Sequence, residues 1–319
     1  MIELGDNMSV RIKRKIKIKW KNLLILLVFS FLLIFGITEI VVCIVKVASS
    51  PKTEEKTKKK EKKKKEVKYI SEDDEKLKVL NYVNKKVDYF NPDYIDRYIQ
   101  YKEKNDDLDD KQIVKNVNMN LDKEQYKDTK SAKNLNTIKI LVNKHYSLDK
   151  NYTPDNLEEI SNRYALEGME MVKEAADAFE NMAKDAQKEN LKIIAMSTYR
   201  SYNYQIKVYN QYVKADGEEK ADTYSGRPGY SEHQTGLAVD VYNGKTNYTK
   251  FEETEEFEWM SEHAHEYGFI LRFPKGKEKE TGYTYESWHY RYVGPTIAKY
   301  IKKHNISFEE YYATKIKDW

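Results

Sequence analysis

This 319-residue chain contains six histidines: His145, His233, His263, His265, His289 and His304. Two of them share short segments with acids. SEHQTGLAVD (231–240) carries His233 and Asp240, and ESWH (286–289) carries Glu286 and His289. Asp240 ends a run, Leu237-Ala238-Val239, that reads as buried. A carboxylate in such a place has to be paired, hydrogen-bonded or metal-bound. Two imidazoles and one carboxylate, with the fourth position left to water, are the donor set of a catalytic zinc site. A closed structural site normally draws on cysteines, and Cys43 is the only one in the chain. Zinc brings the pKa of a bound water to about 7, and a free carboxylate beside that water is placed to take its proton. Glu286, three residues before His289, is the candidate.

These residues need elements that face them to one point. Gly236 supplies a bend between His233 and the strand GLAVDVYN (236–243). On that strand Ala238 and Asp240 share one face and Leu237 and Val239 the other, and the small Ala238 leaves room beside a metal. A turn between Glu286 and His289 would bring both to one side, whereas a regular strand would not. His263 and His265 are two apart in a helical stretch, so they point in different directions. We read His265 as packing or hydrogen-bonding, His263 as solvated, and His145 and His304 as ordinary.

The remaining pattern mixes helices and short strands. IKILVNKHY (138–146) reads as a strand, and TPDNLEEISNRYALEGMEMVKEAADAFENMAKDAQKEN (153–190) as a long amphipathic helix or two. LKIIAMSTYRS (191–201) is a strand leaving into a turn, and NYQIKVYNQYVKADG (203–217) is a helix stopped by Gly217. EEFEWMSEHAHEYGF (255–269) is a helix ending at Gly268, FILRF and SWHYRYVG are extended, and TIAKYIKKHN (296–305) is helical. This order predicts an α+β fold with an antiparallel sheet and flanking helices rather than βαβ repetition. Residues 76–135 read as a helical lead-in. Asp93 is a candidate N-cap, and Tyr94, Ile95, Tyr98 and Tyr101 lie on one packing face.

The N-terminal part has a different character. Leu23 to Val45 is nearly continuous apolar sequence, long enough to cross a hydrocarbon layer of roughly 30 Å. We read residues 1–22 as a basic cytoplasmic tail, 23–47 as an uncleaved signal-anchor helix and 48–75 as a Lys/Glu-rich linker. A cleaved signal peptide is the alternative, with a cleavage site near Ala48. Both flanks of the apolar run are basic, so charge alone does not orient it. Residues 1–68 carry about +11 and the rest about −7 of the net +4. An acidic remainder argues against nucleic acid as a partner. Oligomeric state is not read from these features.

SEHQTGLAVD resembles the Ser-x-His-x-x-Gly-x-Ala-x-Asp motif of the VanY-type zinc D-alanyl-D-alanine carboxypeptidases, and ESWH resembles that family's Glu-x-Trp-His motif. The flanking YGFILRFPKGKEKETGYTYESWHYRYVG and the segment STYRSYNYQ (197–205) are similar too, so the resemblance spans about residues 136–315. It implies a Hedgehog/DD-peptidase-like zinc peptidase domain over 136–319. It also implies His233, Asp240 and His289 as ligands of one Zn2+ and Glu286 as general base and acid. Arg200 would meet substrate or the developing oxyanion, and Gln205 and Ser231 would line the substrate pocket. Trp288 would pack beneath the ligands. The implied substrate is the C-terminal D-alanine of a peptidoglycan stem peptide, with L,D-carboxypeptidase or endopeptidase action as alternatives. That substrate places the catalytic domain outside the cell, with the N-terminus cytoplasmic. A wall-binding module that keeps zinc only for stability is the reading of another class, and an intact Glu286 argues against it.

Overall fold

The computed structural model describes residues 87–318. The basic tail, the signal-anchor helix and the Lys/Glu-rich linker lie outside the described residues. Among the described residues no helix is long and apolar enough to cross a membrane.

Two amphipathic helices come first, α1 (Ile95–Lys104) and α2 (Asp110–Asn118). Tyr98 and Tyr101 of α1 meet Ile113, Val114 and Val117 of α2 in a small apolar core of their own, as the tyrosine spacing predicted. The expected cap is displaced by two residues. Asn91, not Asp93, is the N-cap of the short turn of helix Pro92–Tyr94, its side chain accepting from the Asp93 amide. Asp109 and Gln112 form a reciprocal capping box on α2.

Next, β1 (Lys130–Ser131) pairs in parallel with β2 (Tyr146–Ser147). The strand expected over 138–146 does not form. Ile140, Leu141 and Val142 are buried, but the carbonyls of Ile138 and Ile140 accept from the Arg291 guanidinium instead of a neighbouring strand. The helix expected from residue 153 begins twenty residues late. Its first half is a hairpin, β3 (Leu157–Glu159) against β4 (Glu170–Val172), and only α3 (Lys173–Lys188) is helical. Ala175, Ala176, Phe179, Met182, Ala183 and Ala186 form the buried stripe of α3.

The central sheet holds β5 (Ile194–Ser197), β6 (Ala238–Tyr242), β7 (Phe269–Leu271) and β8 (His289–Tyr292), in the order β5-β6-β8-β7 and antiparallel throughout. Between β5 and β6 run α4 (Tyr202–Asp216) and α5 (Glu218–Ala221). The Ser201 hydroxyl caps α4 by accepting from the Tyr204 amide, and Gly217 ends it. Then α6 (Glu255–His263) runs into a turn of helix that stops at Gly268, and α7 (Glu278–Thr281) precedes β8. Beyond β8 are α8 (Pro295–His304), α9 (Phe308–Tyr311) and a wide helical turn, Tyr312–Ile316. One face of the sheet buries Val239 and Val241 in the main core with α3, where Phe179 meets Phe269 edge-on at 6.1 Å. The opposite face of β6, through Asp240, borders a cleft. The predicted α+β class is the observed one.

Candidate metal and active site

Strand register builds the site. Asp240 on β6 stands directly opposite His289 on β8, and Ser197 of β5 is its partner on the other side. His233 reaches the same point from the turn of 3-10 helix Glu232–Thr235. Gly236 ends that turn at φ 67°, ψ 14° and sends the chain into β6. A Cβ there would sit 2.9 Å from Leu157 Cδ2 and 3.1 Å from Pro154 Cγ, so glycine is required for conformation and for space.

One donor atom from each of His233, Asp240 and His289 lies within 4.8 Å of the others. The His233 Nδ1–H donates to the Thr198 carbonyl at 2.6 Å, which leaves Nε2 as the free lone pair, 3.3 Å from Asp240 Oδ2. His289 presents Nδ1, 2.8 Å from Asp240 Oδ1. Burial, joined by the nearby Arg200 charge, pushes His233 down to about 4, so its ring is neutral. Burial also works on Asp240 and His289, but each is dominated by its partners. The His233 and His289 rings hold Asp240 well below the usual carboxylate range, and the hydrogen bond to Asp240 together with the nearby Glu232 carboxylate raises His289 to about 9. His233 Nε2 is a buried ring nitrogen with no hydrogen-bond partner. An orphaned imidazole nitrogen facing a carboxylate and a second imidazole fits a tetrahedral zinc ion with one open position.

The turn at Ser287-Trp288 folds Glu286 back, placing its Oε2 3.9 Å from His289 Nδ1. Burial raises Glu286 to about 8, with Asp240 adding to it. A carboxyl tuned toward neutrality can both take and return a proton. Arg200 follows β5. Its amide donates to the His233 carbonyl, its Nη2 lies 3.6 Å from Asp240 Oδ2, and its Nε is buried without a partner.

His233, Asp240, Glu286, His289 and Arg200 border one cleft of about 600 Å³, and Thr198 contributes its carbonyl from behind. Gln205 and Ser231 line it as well. Gln205 Nε2 donates to the Gly226 carbonyl, while its Oε1 is buried and free. Ala238 sits opposite Arg291 in the sheet and is not among the lining residues. Trp288 lines the cleft wall edge-on to Tyr248 at 5.1 Å and packs against the main core. His263 is partly exposed against Trp259, and His265 packs with a buried Nδ1, neither of them near the site.

Three contributors escaped the sequence. Thr198 orients His233, Phe273 stacks on the His289 ring at 4.8 Å and 24°, and Glu232 approaches the far nitrogen of that ring. Glu232 lies inside the motif, yet its role depends on Arg272, just past β7, and Arg291 in β8, two charges among buried apolar neighbours. Such a charge signals a buried partner without naming it.

The family model described as VanY: D-alanyl-D-alanine carboxypeptidase matches residues 168–295. YodJ of Bacillus subtilis (strain 168), provisionally named a carboxypeptidase, is 39% identical over 221 residues, covering 63% of this chain and 79% of YodJ. The bifunctional D-Ala-D-Ala dipeptidase and D-Ala-D-Ala carboxypeptidase VanXYC of Enterococcus gallinarum is 30% identical over 183 residues, covering 56% of this chain and 94% of VanXYC. Among solved structures, the LdcB LD-carboxypeptidase is 39% identical, covers 60% of this chain and 92% of its own, and superposes with a TM-score of 0.55. The chain belongs to the VanY family of D-alanyl-D-alanine carboxypeptidases, and it is a zinc carboxypeptidase.

Proposed function

We propose that this enzyme removes the C-terminal D-alanine from peptidoglycan stem peptides, with D-alanyl-D-alanine ends as its first substrate. The observation that carries the reading is the convergence of His233, Asp240 and His289 beside a buried Glu286 and Arg200 in one cleft. Zinc, when bound, would supply Lewis-acid polarisation of the scissile carbonyl and a lowered pKa for water. Glu286 Oε2 takes a proton from the attacking water and delivers it to the departing D-alanine amine as the C–N bond breaks. The Arg200 guanidinium, with an unused buried Nε, pairs with the negative charge of the tetrahedral oxygen or of the terminal carboxylate. Gln205 Oε1 offers an acceptor for a peptide N–H of the substrate, and Ser231 adds a polar wall to the cleft.

A second reading, L,D-carboxypeptidase action on a tetrapeptide stem, is favoured by the likeness to LdcB. The apolar run at 23–47 anchors the enzyme, with the tail cytoplasmic and the catalytic domain outside, where the substrate is. Protease added to intact cells should remove the domain, and full protection would sink this orientation.

The deciding experiment uses the full 319-residue chain in detergent, loaded with zinc, and product masses from stem pentapeptide and tetrapeptide. Loss of one alanine from the pentapeptide is expected, and loss only from the tetrapeptide would move the specificity to L,D. Glu286→Gln should bind zinc and turn over about 10²–10⁴-fold more slowly. No product from either peptide with zinc bound would overturn the carboxypeptidase reading in favour of an endopeptidase or a binding module, and unimpaired turnover by Glu286→Gln would overturn Glu286 as the base.

A further inference from the structure

His289 has two ring nitrogens, and only one can face the metal. Nδ1 is on that side, 2.8 Å from Asp240 Oδ1 and 3.9 Å from Glu286. Nε2 points the other way, into the protein. It is buried and has no hydrogen-bond partner, and 3.8 Å from it lies Glu232 Oε2, also buried and also without a partner. The other oxygen of Glu232 is fully used. Its Oε1 accepts from Arg272 Nε at 2.8 Å and from Arg291 Nη1 at 2.9 Å. Arg272 is then clamped by both oxygens of Glu309 on α9, at 2.9 and 2.5 Å. Arg291 spends its remaining donors on the carbonyls of Tyr292, Ile138 and Ile140. The result is a neutral cluster of two guanidiniums and two carboxylates with almost no exposure.

We propose that Glu232 is the positioning carboxylate of the metal site. By accepting from the His289 Nε2–H it fixes the ring in the tautomer that offers Nδ1 to zinc. The inference rests on the zinc reading of this site. A shift of less than about 1 Å brings Oε2 and Nε2 to hydrogen-bond distance, and Phe273, stacked on the ring, opposes its rotation. A carboxylate behind a metal-bound imidazole sets the ring's orientation and raises its basicity, and losing it typically weakens metal binding about 10–100-fold. Both arginines hold Glu232 through Oε1, so the cluster acts on the metal through Glu232.

The test separates positioning from stability. Glu232→Gln and Glu309→Gln each remove one carboxylate from the same cluster, but only Glu232 faces His289. Zinc dissociation constants of the full chain are measured by competition with a chelator, beside the melting temperature of each protein stripped of metal. Glu232→Gln should bind zinc about 10–100-fold more weakly, and Glu309→Gln should stay within about threefold of wild type at a comparable loss of melting temperature. Equal weakening in both variants, or unchanged affinity in Glu232→Gln, would overturn the proposal. Should Glu232→Gln fail to fold, wild type decides. With 15N-labelled histidine, zinc-loaded protein should show a slowly exchanging proton on His289 Nε2, and a proton on Nδ1 would overturn the proposal. A wild-type chain that binds no zinc would instead overturn the metal reading beneath it.

Discussion

At the scale of single residues, the ligands and the base were legible because they fall in two short segments, each with its spacing intact. Arg200 was visible only through resemblance. The structure shows why it matters: its backbone is tied to the His233 carbonyl and its side chain leans on Asp240 at 3.6 Å. Arg200→Met should lower kcat/KM by about 10²–10³-fold, the usual effect of removing one donor to a developing oxyanion. The split identifies the target. A fall in kcat places Arg200 on the oxyanion, and a rise in KM alone places it on the substrate carboxylate. Thr198 could not be read at all, because it acts through a main-chain carbonyl that every residue type possesses.

At the scale of elements, periodicity found β6, α4, α6 and α8, whose apolar stripes decide their conformation locally. It failed where a distant group decides. Residues 138–146 look like a strand, but Arg291, about 150 positions later, takes the carbonyls a ladder would have used. The stretch 153–172 has helical spacing, yet positive φ at Asn156 and Gly168 fits a hairpin, and Val172 closes it by donating to the Gly236 carbonyl. That contact makes Gly236 a joint between the hairpin and the metal loop. Gly236→Ala should cost about 1–3 kcal/mol of stability, from a strained positive φ and a close approach to Leu157 and Pro154. Urea unfolding measures it, and zinc affinity should fall in the same variant because His233 and Asp240 flank the joint.

At the scale of the whole molecule, the buried charges around Arg272 are managed by pairing, and Lys144 is managed differently. Lys144 is 3% exposed, yet its ammonium reaches only Gln125 and the faces of Tyr126 and Tyr283. Burial lowers it from 10.5 to about 8. Between those values the folded chain has released a proton that the unfolded chain still holds, so stability rises with pH across that window. Below about pH 8 the penalty for the buried charge is fully present. Lys144→Met should remove this rise, seen as a narrowing gap between the melting temperatures of variant and wild type from pH 7.5 to 10. The charge cluster around Arg272 has a different consequence. Its members run from Ile138 to Glu309, whereas the recognisable motifs end at His289. A gene fragment or a proteolytic product that stops before Phe308 would contain every ligand, the base and Arg200. It would also strip Arg272 of both Glu309 oxygens, leaving two buried guanidiniums to share Glu232 alone, and would remove the packing of Phe308. Such a piece would be counted as a complete enzyme by its signature and would be inert in the test tube. A cut in the turn between α8 and α9 is therefore a way to silence this catalyst without touching its active site.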